Sequence, residues 1–250
     1  MPTLTRGRTE IYYAEYGSGY PLLLFAPGGM RSKIEAWRRN PATPDVLPPW
    51  MDPTALLADE FRLIAMDQRN AGQSRAPIRA ADGWATYTDD HVKLLDHLQI
   101  DSCHLMGGCI GASYCAALCE AAPGRITAAV LQNPIGIAGD NRPVFEEMFA
   151  SWARELATRP DVDPAALARF GQNMFGGDFI FSVSREAVRR CRAPLLVLPG
   201  NDAFHPTGIG LEIADLAPDA ELLLDWKGPT YLVQTIDRVR RFLRQHRPTR

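Results

Sequence analysis

Short, nearly continuous apolar runs recur along the chain, each closed by a turn-forming cluster. Pro21 to Phe25, Phe61 to Met66, Cys103 to Met106, Ile126 to Leu131 and Ala193 to Leu198 have this character. Runs without polar alternation suit strands buried on both faces. Glu10 to Tyr16, ending at Gly17-Ser18-Gly19, reads as a further strand, and Glu221 to Trp226 as the last one. Helical periodicity lies between them. Thr86 to Leu98 carries Val92, Leu95 and Leu98, with Leu94 beside them, as an apolar stripe. Tyr114 to Ala122 is a helical run that should stop near Pro123-Gly124, and another helix is expected around Gly210 to Leu216. Leu232, Ile236, Val239 and Leu243 mark a final core-facing helix whose flank, Arg238, Arg240, Arg241 and Arg244, reads as solvated. Strands alternating with helices need crossover connections, so the expected fold class is α/β with a mostly parallel sheet flanked by helices.

Two stretches break the alternation. Residues 31 to 60 are Pro-rich (Pro41, Pro44, Pro48, Pro49, Pro53) and contain Trp37 and Trp50. A loop of this length in a compact domain is usually functional or wraps an entrance. Residues 135 to 190 gather Phe145, Met148, Phe149, Trp152, Phe170, Met174, Phe175, Phe179 and Phe181 among helical patterns. They read as a helical insertion over the carboxyl end of the sheet. The expected division is a core of 1–134 and 191–250 with an insertion of 135–190. Most of its aromatics should be core, and some should face a pocket for a small apolar or aromatic substrate.

Composition narrows the function classes. The 250 residues fit one large domain, or one domain with an insertion. A formal net charge of -2 gives no reason to expect nucleic acid or an acidic membrane as partner. No run is long and apolar enough to cross a bilayer, and Met1 to Arg6 lacks the apolar stretch of a secretory signal. Of the five cysteines, Cys103, Cys109, Cys115 and Cys119 cluster in one strand and helix, and Cys191 stands apart. An odd number without a CxxC pair argues against a disulfide framework or a zinc site, and for a reducing cytoplasm. Cys115 and Cys119 share a helix face and read as small core residues. Neither a metal nor an organic cofactor is expected, and the expected partner is a small-molecule substrate. Oligomeric state is not legible.

The chemistry concentrates in Gly107-Gly108-Cys109-Ile110-Gly111, between an apolar strand and a helical run. Glycines two residues either side of one reactive side chain, at a strand-to-helix turn, form the nucleophile-elbow pattern. Side chains at Gly107 or Gly111 would collide with neighbouring backbone, and the central residue is forced into a strained conformation that lifts its side chain clear of the sheet. Here that residue is Cys109. A thiol at the start of a helix tends toward thiolate. The competing reading is a small buried hydrophobe. Ala26-Pro27-Gly28-Gly29-Met30 follows a buried strand, where a glycine pair allows backbone N–H groups to point at a ligand.

Taken together, these motifs resemble the α/β-hydrolase fold superfamily along nearly the whole chain. Pro27-Gly28-Gly29 resembles its oxyanion loop, Asp67 to Ser74 its D-x-R-G-x-G-x-S loop, and Gly107 to Gly111 its elbow. Residues 135–190 resemble its cap, and Asp202 stands where its acid follows the seventh strand. The chain departs from the pattern in three places. Cys replaces the usual Ser, as in dienelactone hydrolases. Asn70 replaces a usual Gly. The family's late His is missing, because the region after the last strand reads Trp226-Lys227-Gly228-Pro229-Thr230-Tyr231. His246 lies past the last helix's core stripe. His91 flanks the stripe of its helix, His97 faces the charged side, and His104 sits inside the elbow strand. His205, three residues after Asp202, is the remaining candidate base, oriented by Asp202 or, alternatively, by Asp225.

The resemblance then implies an acyl-transfer hydrolase. Cys109 would attack an ester, lactone or thioester carbonyl, with the oxyanion held by backbone N–H groups of Ile110 and of Gly29 or Met30. His205 would move the proton, and water would release the thioacyl-enzyme. Two other readings stay open at this point. One is carbon–carbon cleavage, lyase or isomerase chemistry on the same scaffold, which the missing late His encourages. The other is a non-catalytic ligand-binding protein of the same fold. Fold alone does not choose among them.

Overall fold

The computed structural model describes residues 2–39, 48 and 50–248; Pro41, Pro44 and Pro49 of the Pro-rich stretch lie outside the described residues. The five apolar runs become β3 to β7 in a set of strands β1 (Thr3–Arg6), β2 (Thr9–Tyr16), β3 (Tyr20–Phe25), β4 (Phe61–Met66), β5 (Cys103–Gly108), β6 (Ile126–Gln132), β7 (Leu195–Leu198) and β8 (Ala220–Leu222). They form one sheet in the order β1-β2-β4-β3-β5-β6-β7-β8. The pairs β1–β2 and β2–β4 are antiparallel, and every other pair of neighbours is parallel. The mostly parallel α/β sheet is therefore as expected.

The helices are α1 (Pro53–Leu56), α2 (Trp84–His97), α3 (Ile110–Ala121), α4 (Arg142–Leu156), α5 (Pro164–Phe175), α6 (Arg185–Arg189), α7 (Thr207–Leu216) and α8 (Leu232–Gln245). Strand alternation divides the core in two. Leu23 and Phe25 of β3 join Ile64, Met66, Leu105 and residues of α2 and α3 on one face. Leu22 and Leu24 join Leu63, Ala65, Met106 and Val239, Phe242 and Leu243 of α8 on the other. Helices on both faces explain why the central strands carry almost no polar residues.

Several expectations need correction. β1 is an additional strand, because its alternating pattern is too short to stand out by itself. The last strand ends at Leu222, not at Trp226. Trp226 turns away to donate its indole N–H to the Pro199 carbonyl at 2.7 Å, and it is fully buried. The arginine flank of α8 is not simply solvated. Arg240 pairs with Asp59 and Glu60, Arg244 with Glu60, and Arg238 with Glu221.

α4, α5 and α6 lie between β6 and β7, within the span 135–190. α4 packs on the turn at Gly29–Arg31, where Arg31 donates to Ser151 at 3.2 Å and to Glu155 at 2.5 Å. Trp152 donates to the Asn70 carbonyl at 3.4 Å. Phe145, Phe170 and Trp152 are fully buried, so most of the insertion's aromatics are core. Beneath it, Arg69 donates to both carboxylate oxygens of Asp90, at 2.8 and 3.0 Å, with both side chains buried. No helix among the described residues is long and apolar enough to cross a membrane.

Candidate active site

Cys109 follows the last residue of β5 and immediately precedes α3. Its backbone has φ 57° and ψ −122°, a region that L residues rarely occupy. Three constraints hold it there. Its N–H donates to the Gln132 carbonyl of β6 at 2.9 Å. A methyl at Gly107 would run into the backbone of Gly111, and one at Gly111 would run into the Phe25 carbonyl. β5, β3 and α3 therefore meet at distances that only glycine permits. The half-buried Cys109 side chain is left standing at the carboxyl end of the sheet.

The loop after β7 supplies the partner. Gly200 has no side chain, and a methyl there would collide with His205, so the chain folds tightly back at this point. Asp202 and His205 exchange backbone hydrogen bonds, and Asp202 Oδ1 also accepts from the N–H groups of Phe204 and His205, each at 3.0 Å. The same carboxylate accepts from the imidazole, with His205 Nδ1 at 2.7 Å from Oδ1 and 2.9 Å from Oδ2. This leaves Nε2 buried without a hydrogen-bond partner. His205 and Cys109 line the same cavity, and the charge of Cys109 acts on the ring.

The charges agree with that placement. Burial pushes the Cys109 thiol up, but the charge and hydrogen bond of His205, with the backbone amides of Gly28 and Ile110, hold it below the ordinary thiol value. Burial alone would lower His205, yet the Cys109 charge and the Asp202 carboxylate raise it to about 9. The hydrogen bond from His205 holds Asp202 down to about 2, against the opposing effect of burial. The three groups thus favour a thiolate–imidazolium–carboxylate arrangement.

The structure therefore brings Cys109, His205 and Asp202 together and leaves the other candidates apart. Asp225 is exposed, and the ring is held by Asp202 instead. His104 is buried against Thr127, its Nδ1 2.8 Å from Oγ1. His91 is buried against Gln68 at 2.8 Å, and burial lowers it to about 3. His97 meets the Tyr13 hydroxyl at 3.2 Å, and His246 packs on Phe242. In the glycine turn, Gly28 and Gly29 both have positive φ, 119° and 58°. Gly29 lines the cavity before Cys109, whereas the Met30 side chain belongs to the core. The backbone amides that act on the thiol are those of Gly28 and Ile110.

The cavity in front of Cys109 has a volume of about 710 Å³. Trp50, Met148 and Phe204 give it apolar walls, and Arg31, Gln132 and Asn133 add polar groups. Of these, Arg31, Gln132 and Asn133 carried no motif in the sequence. Lys227, from the segment that lacks the late His, donates to Asn201 at 2.7 Å and to Asn133 at 3.3 Å. Burial lowers its value, and the Asp202 charge opposes that effect. Among the described residues no group of three or more His, Cys, Asp or Glu side chains is placed to hold a metal ion.

Comparison with known proteins agrees with this architecture. A family model described as alpha/beta hydrolase fold matches residues 22–199. The chain is 26% identical over 194 residues to a dihydrolipoyllysine-residue acetyltransferase component of an acetoin cleaving system from Cupriavidus necator, covering 67% of this chain and 48% of that protein. It is 29% identical over 145 residues to a 2-hydroxymuconate semialdehyde hydrolase from Pseudomonas sp. (strain CF600), covering 58% of this chain and 45% of that protein. The chain thus spans about half the length of these two curated relatives. Among solved structures, it resembles the esterase RhEst1 from Rhodococcus sp. ECU1013, with a TM-score of 0.68, 21% identity and 98% of each chain covered. That likeness concerns the fold.

Proposed function

The chain belongs to the alpha/beta hydrolase fold family, and from that premise we propose that it is a cysteine-nucleophile hydrolase of an ester, lactone or thioester with a small apolar or aromatic acyl group. One observation carries this reading: His205 is tethered by Asp202 through Nδ1, and its other nitrogen is left for the Cys109 thiol. A nucleophile, a base and a group that orients the base are the three parts that acyl transfer requires.

In the proposed cycle Cys109 Sγ attacks the carbonyl carbon as thiolate. The carbonyl oxygen becomes an oxyanion facing the Ile110 and Gly28 amides, with Gly29 beside them in the cavity wall. The tetrahedral species collapses, the carbon–oxygen or carbon–sulfur bond to the leaving group breaks, and protonated His205 supplies the proton. Neutral His205 then takes a proton from water, which attacks the thioacyl carbon and returns Cys109 to thiolate. Asp202 keeps the ring oriented and favours its charged form throughout. Residues 135–190 act as the cap in this account, with Met148 forming part of the acyl pocket. The five free cysteines suit a reducing cytoplasm as the place of work.

One relative is named for acyl transfer, which supports this reading; the other is named a hydrolase of a semialdehyde, a substrate without an ester bond, and fits the carbon–carbon cleavage alternative. The test is turnover of a series of activated aryl esters, with mass spectrometry of the enzyme during the reaction. A transient adduct of acyl mass on Cys109, absent in Cys109→Ala, is the expected result. Turnover without any adduct, or equal turnover by the Cys109→Ala chain, overturns the proposal. A β-diketone substrate run alongside distinguishes carbon–carbon cleavage by the mass of its products.

A further inference from the structure

A second pair of thiols lies away from the cavity before Cys109. Cys119 is in the last turns of α3, and Cys191 lies between α6 and β7, yet both line one cavity of about 260 Å³. Cys119 is buried and Cys191 is half-exposed, so only one of the two is open to solvent. Each thiol perturbs the ionisation of the other, and Cys191 donates to the Ala193 carbonyl at 3.5 Å. Arg190 and Arg192 flank Cys191 in sequence and line the same cavity. Glu120 adds a carboxylate, and the other walls are apolar, among them Leu131, Ile180 and Ile213.

We propose that Cys119 and Cys191 form a peroxide-sensitive dithiol site, in which Cys191 is the attacked thiol and Cys119 resolves it to a disulfide. An accessible thiol with a second, buried thiol beside it in one cavity has the layout of a redox-sensing pair. The neighbouring Cys119 thiol lowers Cys191 to about 7, whereas Cys119 is raised, so the two thiols are differentiated before any oxidant arrives.

The step balances with a hydroperoxide as oxidant. The Cys191 thiolate attacks the peroxide oxygen, the O–O bond breaks, and the departing hydroxide or alkoxide takes up a proton. Cys191 becomes the sulfenic acid. Cys119 sulfur then attacks Cys191 sulfur, the S–O bond breaks, and hydroxide leaves as water with the Cys119 proton. Two thiols lose two electrons in total, and the peroxide gains them. The product ties α3, the helix that starts beside Cys109, to the segment entering β7.

The experiment exposes the full chain to a small excess of hydrogen peroxide, alkylates the remaining thiols and maps the peptides without reduction. The protease should not be trypsin, because Arg190 and Arg192 would leave Cys191 on too small a fragment. The expected result is a cross-link between the Cys119 and Cys191 peptides with a mass loss of about 2 Da, reversed by a dithiol reductant. In C119A, Cys191 should instead gain about 32 Da as sulfinic acid. In C191S, Cys119 should remain alkylatable. Wild-type chain in which both thiols stay alkylatable while Cys109 is oxidised overturns the proposal. So does the same Cys191 product with and without Cys119. The cross-link is read on the wild-type chain, so a variant that fails to fold does not remove the test, and activity toward esters plays no part in it.

Discussion

His205 Nδ1 lies 2.7 Å from Oδ1 of Asp202, three residues earlier in the same loop. One tight turn after β7 therefore delivers both the imidazole and the carboxylate that orients it. The segment after β8 is left with Lys227, which ties that turn to Asn133 through two asparagine carbonyls. The turn is rigid because Asp202 also accepts from two backbone N–H groups, and because Gly200 admits the His205 side chain against its own Cα.

Replacing Cys109 by alanine should lower kcat/KM for an activated ester by more than about a thousandfold without loss of fold. A thiol-alkylating probe gives an independent check. At neutral pH Cys109 and Cys191 should be labelled, while Cys103, raised to about 12 by burial, should not. Peptide mapping separates the two reactive sites. Labelling of Cys109 no faster than that of Cys103 would contradict the electrostatics of the site.

The pH profile follows from the signs of the shifts. Cys109 is held below its ordinary value and His205 is raised to about 9. Acid protonates the thiolate and removes the nucleophile, and alkali strips the proton that the leaving group needs. Activity should form a bell whose alkaline limb lies near pH 9, the two limbs belonging to the pair rather than to either group alone.

Asp202→Asn should move that alkaline limb to lower pH, because the carboxylate is one of the groups raising His205. The loss in kcat/KM should be at least about tenfold, since the ring also loses its orientation. Stability gives a second reading. Asp202 falls from 3.8 to about 2 in the folded chain, so its contribution is present above pH 3.8 and lost as pH falls through about 2. Acid unfolding should therefore be shallower in that window for the Asn variant. An unmoved alkaline limb would show that Asp202 does not tune the ring.

The elbow glycines can be tested by unfolding alone. Gly111→Ala places a methyl against the Phe25 carbonyl and should cost about 2 kcal/mol or more in urea denaturation. Gly124→Ala meets no atom within 4 Å and should change stability by less than about 0.5 kcal/mol. Equal effects would mean that the approach of α3 to β3 relaxes at no cost.

The buried pair under the insertion is a separate stability site. Asp90→Ala leaves the Arg69 guanidinium in the interior with its main partner removed, at a cost of about 3–5 kcal/mol. Replacing both residues by apolar side chains of similar volume should recover much of that loss. A double variant no more stable than Asp90→Ala would assign the cost to packing rather than to the unpaired charge.

The sheet was legible in the sequence because buried parallel strands are nearly pure apolar runs, and five of them could be placed within about two residues. β1 and β8 were the weak cases. They sit at the sheet edges, where one neighbour is missing and burial no longer imposes a pattern. Cys109 was legible for a steric reason, since the Gly107 and Gly111 spacing has few uses other than a sharp strand-to-helix elbow. The positive φ of Asn70, 58°, likewise accounts for Asn at a position where Gly is usual, because Asn tolerates that region.

The sequence by itself determined the class of sheet, the elbow and the short list of residues able to serve it. It left Asp202 and Asp225 as rival partners for one ring. Tertiary structure decided this point, because it depends on where chain ends of different strands come to lie. Asp202 prevails over Asp225 because β7 ends beside β6, the immediate neighbour of β5, while Asp225 emerges beyond the sheet edge into solvent.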